Sequence, residues 1–317
     1  MAQLLGFMIL GFSLGRSKIL KGAWIDRALT VILYFLLFVM GWRTGAIPGI
    51  ASQLGGLGMT AFLFAVAALT GSWISVLLAQ KMGLKPLAKQ ASTDQVLEDQ
   101  LPPSLFRKLW NILKAPLLLL GIVIGGGIYG STSPWNLGLN LDYLAANLVL
   151  VLVFFVGLQT GAANLDFKLL FGRKSTYFLP LLTALGSLGG GALLALSAGT
   201  WWSISPGKGA AITGGFGWYS LSSVILSAQL SAPILGTMAF LSNIFRETLS
   251  FFFIPLFARL GQSNLAIASG GATTMDVTLP ILEKSAGPEV VLPALAHGII
   301  LSLLVPFVVP WMFGLGK

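Results

Sequence analysis

Cysteine is absent from the 317 residues and histidine occurs once. Disulfides, thiolate metal sites and cysteine nucleophiles are therefore excluded, and no multi-histidine zinc or iron centre can form. Charge is scarce too: 9% of residues are Asp, Glu, Lys or Arg, where a soluble domain carries about 25%. What fills the chain instead is 56% hydrophobic residues, at a mean hydropathy of +0.87. This is the composition of a membrane protein. Glycine, 39 of 317 against a usual ~7%, suits helices that pack closely or break. The net charge of +9 does not point to nucleic acid, because the basic residues sit in loops between apolar runs.

A bilayer core takes about 20 apolar residues per helix. Eight runs of this kind stand out, at Ala2–Leu14, Ala28–Arg43, Leu54–Gln80, Ala115–Gly130, Leu144–Ala163, Thr176–Ala198, Ile234–Leu260 and Val290–Phe313. Two weaker segments, Gly209–Gln229 and Asn264–Leu282, are interrupted by glycine, serine and threonine, the second also by Asp276. The opening Met-Ala-Gln has no basic region of the kind that begins a signal peptide, so the first run is expected to remain as a span. With the N-terminus outside, the cytoplasmic side receives Arg16, Lys18, Lys21, Arg27, Lys81, Lys85, Lys89, Arg107, Lys108, Lys114, Lys168, Arg173, Lys174, Arg259 and Lys284, fifteen of the nineteen basic residues. Arg43, Lys208 and Lys317 fall outside, and Arg246 lies within a span. The bias predicts both termini outside. The one long polar connection, 81–114, reads as a cytoplasmic linker partly resting on the lipid surface.

Internal repeats set the expected architecture. Leu5-Gly6-Phe7-Met8-Ile9-Leu10-Gly11 returns as Leu120-Gly121-Ile122-Val123-Ile124-Gly125-Gly126, an offset of 115. Phe38 to Gly45 returns as Phe154 to Gly161, an offset of 116. Each copy holds three spans, an odd number, so the second (115–202) must be inverted relative to the first (1–80), a transporter signature. The pairs Gly11/Gly15, Gly41/Gly45, Gly126/Gly130 and Gly157/Gly161 let helix backbones approach closely in lipid. The C-terminal third, 203–317, repeats separately as 203–260 and 261–317: Gly215 to Ser220 aligns with Gly271 to Asp276 at an offset of 56. Each unit is a broken segment followed by one strong span. The expected fold is all-α and polytopic, with eight transmembrane helices plus two re-entrant hairpins, or ten helices if the broken segments cross fully. Non-helical backbone at membrane depth survives only against protein or a watery cavity, so two breaks in equivalent positions point to the transport site.

Eight of the ten acids lie in loops or near helix ends; Glu247 and Asp276 do not. A charge at mid-bilayer costs about 2.5–3.5 kcal/mol on insertion scales, which demands a reason. Glu247 could pair with Arg246, although adjacent helical residues point about 100° apart, and Asp276 could cap a half-helix. The functional alternative is that both face one polar cavity and bind a cation or proton. Asn243, one turn before Glu247, could bind substrate or orient the carboxylate. His297 in the last span is a helix–helix hydrogen bond or a proton relay. Trp218 and Tyr219 could wall the site by cation–π contact or merely pack. Ser220, Thr273 and Thr274 bring hydroxyls beside half-helix ends, and Arg246 could serve as counter-ion. Gly125-x-Gly127-x-x-Gly130 matches a dinucleotide pattern but follows no strand. No nucleophile–base pair accompanies the acids, which argues against a membrane enzyme.

The strings Gly215-Phe216-Gly217-Trp218-Tyr219-Ser220-Leu221-Ser222, Arg246-Glu247, Gly271-Ala272-Thr273-Thr274-Met275-Asp276-Val277-Thr278-Leu279-Pro280 and His297 to Pro306 resemble the LysO-type bacterial L-lysine exporters, densely over 209–310 and more loosely elsewhere. The resemblance implies export of lysine and its toxic analogue thialysine against inward proton flow. It implies that the essential membrane acids are Glu247 and Asp276, in a multi-pass protein of the bacterial inner membrane. Its expected partners are lysine, its analogues and lipid, with no nucleic acid and no cofactor beyond the coupling proton; homo-oligomerisation is left open. A sodium-coupled or broader cationic amino-acid carrier is the alternative, since the same acids would serve it. The order of spans and hairpins also looks like that of the elevator-type glutamate transporters, by analogy alone.

Overall fold

The computed structural model describes residues 2–17, 24–46, 50–84, 118, 121–132, 141–162, 174–275 and 277–316. Most of the 81–114 linker, and Asp276, lie outside these described residues. The elements are α1 (Ala2–Arg16), α2 (Trp24–Gly45), α3 (Ile50–Lys81), α4 (121–132), α5 (Leu141–Ala162), α6 (Lys174–Trp202), α7 (Pro206–Thr213), α8 (Tyr219–Val224), α9 (Pro233–Arg259), α10 (Ser263–Gly270), α11 (Leu279–Ala286) and α12 (Val291–Leu315). α8 runs on as a π-helical turn over Ile225–Gln229, and α10 as a 3-10 turn over Gly271–Met275. No strand occurs among the described residues. Helices satisfy their own backbone, which lipid cannot do for them. Among the described residues, four stretches are long and apolar enough to cross a bilayer by themselves: Gly55–Lys81, Thr176–Ala198, Pro233–Arg259 and Val291–Leu315. Leu181, Leu185, Leu193 and Leu196 of α6 stand exposed, a surface suited to lipid rather than water.

Glycines pair the helices of the N-terminal half. A Cβ on Gly11 or Gly15 of α1 would strike the carbonyls of Phe154 or Leu158 in α5, and one on Gly157 or Gly161 of α5 would strike those of Met8 or Phe12. α2 and α4 meet in the same way, Gly41 and Gly45 against Val123 and Gly127, Gly126 and Gly130 against Phe38 and Trp42. Both pairs run parallel. α3 and α6 run antiparallel, with Gly71 and Gly186 each against the other's backbone. Hydroxyls join this pair: Ser72 Oγ donates to the Thr183 carbonyl at 3.1 Å and Ser75 Oγ to that of Leu182 at 2.7 Å.

The C-terminal third is built around two broken segments. α7 turns back along the end of α6, where Thr213 and Ser187 each donate to the other's carbonyl at 3.0 Å. It starts beside the end of α12, Ser205 Oγ donating to the Gly316 carbonyl at 2.8 Å. After the break at 214–218, α8 returns antiparallel to the start of α9, with Ser227 against Gly236. The second segment starts from the far end of α9 and finishes at α12, and its ends share an apolar cluster with Val76, Leu179, Ala258, Ala286 and Val290. Both ends of 206–229 thus lie at one end of the bundle, and both ends of 263–286 at the opposite end. Their tips touch in the middle: the Ala272 amide donates to the Phe216 carbonyl at 2.8 Å.

Candidate functional site

The meeting of the tips depends on backbone that few residues tolerate. Phe216 and Gly217 have φ of 52° and 104°. Gly271, at φ 62° and ψ −133°, lies where only glycine sits without strain, and a Cβ there would strike the Phe216 carbonyl. Polar side chains from the long helices fix both breaks. Asn243 of α9 accepts the Gly217 amide at 2.7 Å and donates to the carbonyls of Ala239 and Ile212 at 2.8 and 3.2 Å. Its Nδ2 also lies 3.4 Å from Ser222 Oγ. Its amide is therefore committed to the first break.

At the second break, Thr274 Oγ1 lies 2.8 Å from both the Gly271 and Ala294 carbonyls. His297 Nδ1 faces the Gly271 carbonyl at 3.1 Å and Thr274 Oγ1 at 3.2 Å, and its Nε2 lies 3.0 Å from Thr183 Oγ1 on α6. A carbonyl only accepts, so Nδ1 carries a proton and donates it there, while Nε2 faces the Thr183 hydroxyl. His297 thereby ties α6, α12 and the second tip together. Thr273 Oγ1 donates to the Gly270 carbonyl at 2.9 Å and sits 3.3 Å from Thr278 Oγ1.

Arg246 and Glu247 are 1% and 2% exposed in the middle of α9. Arg246 turns away from its neighbour: Nη1 donates to Ser187 Oγ at 2.9 Å and Nη2 to the Ala268 carbonyl at 3.2 Å. Both of these guanidinium contacts run to other elements, α6 and α10, rather than along α9. Asp276 lies outside the described residues. The residue before it, Met275, packs on α12, where its sulfur accepts from Ser302 Oγ at 3.7 Å. Trp218 and Tyr219 are half-buried, the Tyr219 ring edge-on to Phe240 at 5.6 Å, and Ser220 is buried at the start of α8. Among the described residues no three acids or histidines gather to hold a metal.

Thr183, Ser187, Thr213 and Ser222 were not singled out from sequence, and each contacts a candidate side chain or a broken segment. A hydroxyl in an apolar helix costs little, so burial cost alone does not flag it. The available signal was spacing: Thr183 and Ser187 are four apart on α6, hence on one face.

Helices broken at mid-length, meeting tip to tip around buried ionisable groups within an apolar bundle, define a membrane solute transporter. The chain belongs to the lysine exporter LysO family, whose family model matches residues 118–313. The lysine exporter LysO of Escherichia coli is 28% identical over 285 residues, 90% of this chain and 89% of that one. A provisionally named lysine exporter of Haemophilus influenzae is 39% identical over 159 residues, 50% of this chain and 78% of its own. No solved structure matches the chain.

Proposed function

We propose that this protein exports L-lysine, and analogues such as thialysine, across the bacterial inner membrane in exchange for protons. The observation that carries this reading is Glu247: a carboxylate, 2% exposed, on the helix that clamps both breaks, in a chain of the lysine exporter family. Lysine brings two ammonium groups and one carboxylate, net +1. Glu247 and Asp276 are the groups for which lysine and proton compete, each neutralising the site in turn, so that every state that crosses carries reduced charge. Trp218 and Tyr219 flank the cation; Ser220 and the backbone at the starts of α8 and α11 receive the substrate carboxylate.

In the membrane, 206–229 is a re-entrant hairpin from outside and 263–286 one from the cytoplasm, with both termini outside. Residues 1–80 and 115–202 are inverted copies. Supporting this, the offset of 115 relates Gly71 to Gly186, and these two touch, as residues on a two-fold axis must. The same operation turns the α1–α5 contact into the α4–α2 contact. Elevator motion follows as the expected mode: α1, α2, α4 and α5 form a frame, and the remainder moves against it.

The test is lysine-evoked proton movement in sealed vesicles without sodium. Glu247→Gln and Asp276→Asn keep shape and remove charge. Either should abolish both proton movement and export. Normal export by either variant would refute the shared-carboxylate mechanism, and an absolute need for sodium would move the protein to the sodium-coupled carriers.

A further inference from the structure

We propose that Arg246 is a tethered cation filling the position where a mobile inorganic cation would otherwise bind, so that export runs without sodium. The inference rests on the transport reading above and names a new role at the same site. α10 ends at Gly270, and the last four carbonyls of any helix lack intrahelical partners and carry its partial negative charge. Here that end is buried at the centre of the bundle. In transporters with broken helices, such half-helix C-termini and unwound carbonyls are where coupling ions are held. Oxygens of this kind, a backbone carbonyl and a hydroxyl, suit hard cations.

The guanidinium of Arg246 occupies this position, Nη2 on the Ala268 carbonyl and Nη1 on Ser187 Oγ. Among the described residues its hydrogen-bond partners are both neutral and its Nε has none. A buried charge hydrogen-bonded to neutral acceptors is poorly repaid for its desolvation by those bonds, and an apolar residue of like volume would pack at lower cost. The charge is therefore what the position uses. The first break makes the comparison. There the end of α7 is closed by a neutral donor, Asn243 Nδ2 on the Ile212 carbonyl at 3.2 Å. Asn243 and Arg246, three residues apart on α9, thus close the two half-helices with an amide and a cation respectively. With Arg246 included, two ionised acids leave a net charge of −1, which one lysine or one proton balances.

The experiment uses the purified full-length protein, melted in detergent and reconstituted for lysine flux, in sodium, choline and methylguanidinium salts. Wild-type melting and flux should be the same in sodium and choline. Arg246→Ala should lose flux, and sodium or methylguanidinium should raise its melting temperature, as a ligand bound only to the folded state does, with partial return of flux. Arg246→Lys should keep flux without any added cation, which a packing role would not predict. If Arg246→Ala does not fold, Arg246→Gln, which keeps donors and drops charge, replaces it. Sodium-dependent flux in the wild type, or a neutral variant that neither loses flux nor responds to either cation, overturns the proposal. A wild type that moves no lysine in any salt instead sinks the lysine reading, while the melting comparison still decides the cation site.

Discussion

On α9, Asn243 spends its carbonyl on the Gly217 amide and its amide on Ala239 and Ile212, so its loss exposes several buried groups at once. Leaving one buried donor or acceptor unmatched costs about 1–3 kcal/mol. Asn243→Ala should therefore lower the melting temperature clearly. Asn243→Asp keeps the acceptor for Gly217 and forfeits the two donors, so it should destabilise as well. A variant as stable as the wild type would show that water or a rearranged loop replaces the clamp. At this scale the sequence exposed residues whose burial is costly: Arg246 and Glu247 stood out because charge in lipid demands a reason. It could not show that Asn243 faces a loop rather than the carboxylate one turn away, because a helical spacing gives the face and not what lies opposite. Ser187 and Thr183 stayed hidden for a related reason, since their importance lies in Arg246 and His297, which reach them from more than fifty residues away.

Between elements, close glycine contact replaces the hydrophobic effect, which gives no net pull between helices already in lipid. Leucine at Gly11 or Gly157 should separate α1 from α5, and leucine at Gly41 or Gly126 should separate α2 from α4. Each should cut the yield of folded protein, with similar severity for the two pairs if they are symmetry mates. Gly6 and Gly121, where a Cβ meets nothing within 4 Å, should accept the same change with little effect on melting in detergent. These glycine pairs and the two breaks were legible in the sequence, because a four-residue spacing and a glycine-rich interruption are local patterns. The partner of each glycine face was not. Nor was the π-helical turn over Ile225–Gln229, which no local pattern marks.

Across the whole molecule, two kinds of seam divide the bundle. Polar contacts bind the C-terminal third to α3 and α6: Trp73 Nε1 donates to Ser269 Oγ of the second broken segment at 2.9 Å, Arg246 of α9 donates to Ser187, and His297 of α12 reaches Thr183. Against α2 and α5 the core presents an apolar cluster, Leu36, Leu37, Leu152 and Val153 with Val224, Ile225 and Leu226. Directional bonds fix a register, whereas apolar side chains slide from one packed arrangement to another at lower cost. Motion should therefore fall between α1, α2, α4 and α5 on one side and everything else on the other. The chain has no cysteine, so engineered pairs report cleanly. Ser75→Cys with Leu182→Cys, inside the moving body, should leave lysine flux intact when oxidised; Leu152→Cys with Ile225→Cys, across the seam, should stop it until reduced. In the same background, single cysteines at Ser203 and Ser231 should react with an impermeant reagent from outside, and ones at Arg259 and Lys284 only from the cytoplasm. Normal flux through an oxidised seam would fix the frame to the core and require the hairpin tips alone to open, and labelling of Ser231 from the cytoplasmic face would make the first broken segment a full crossing.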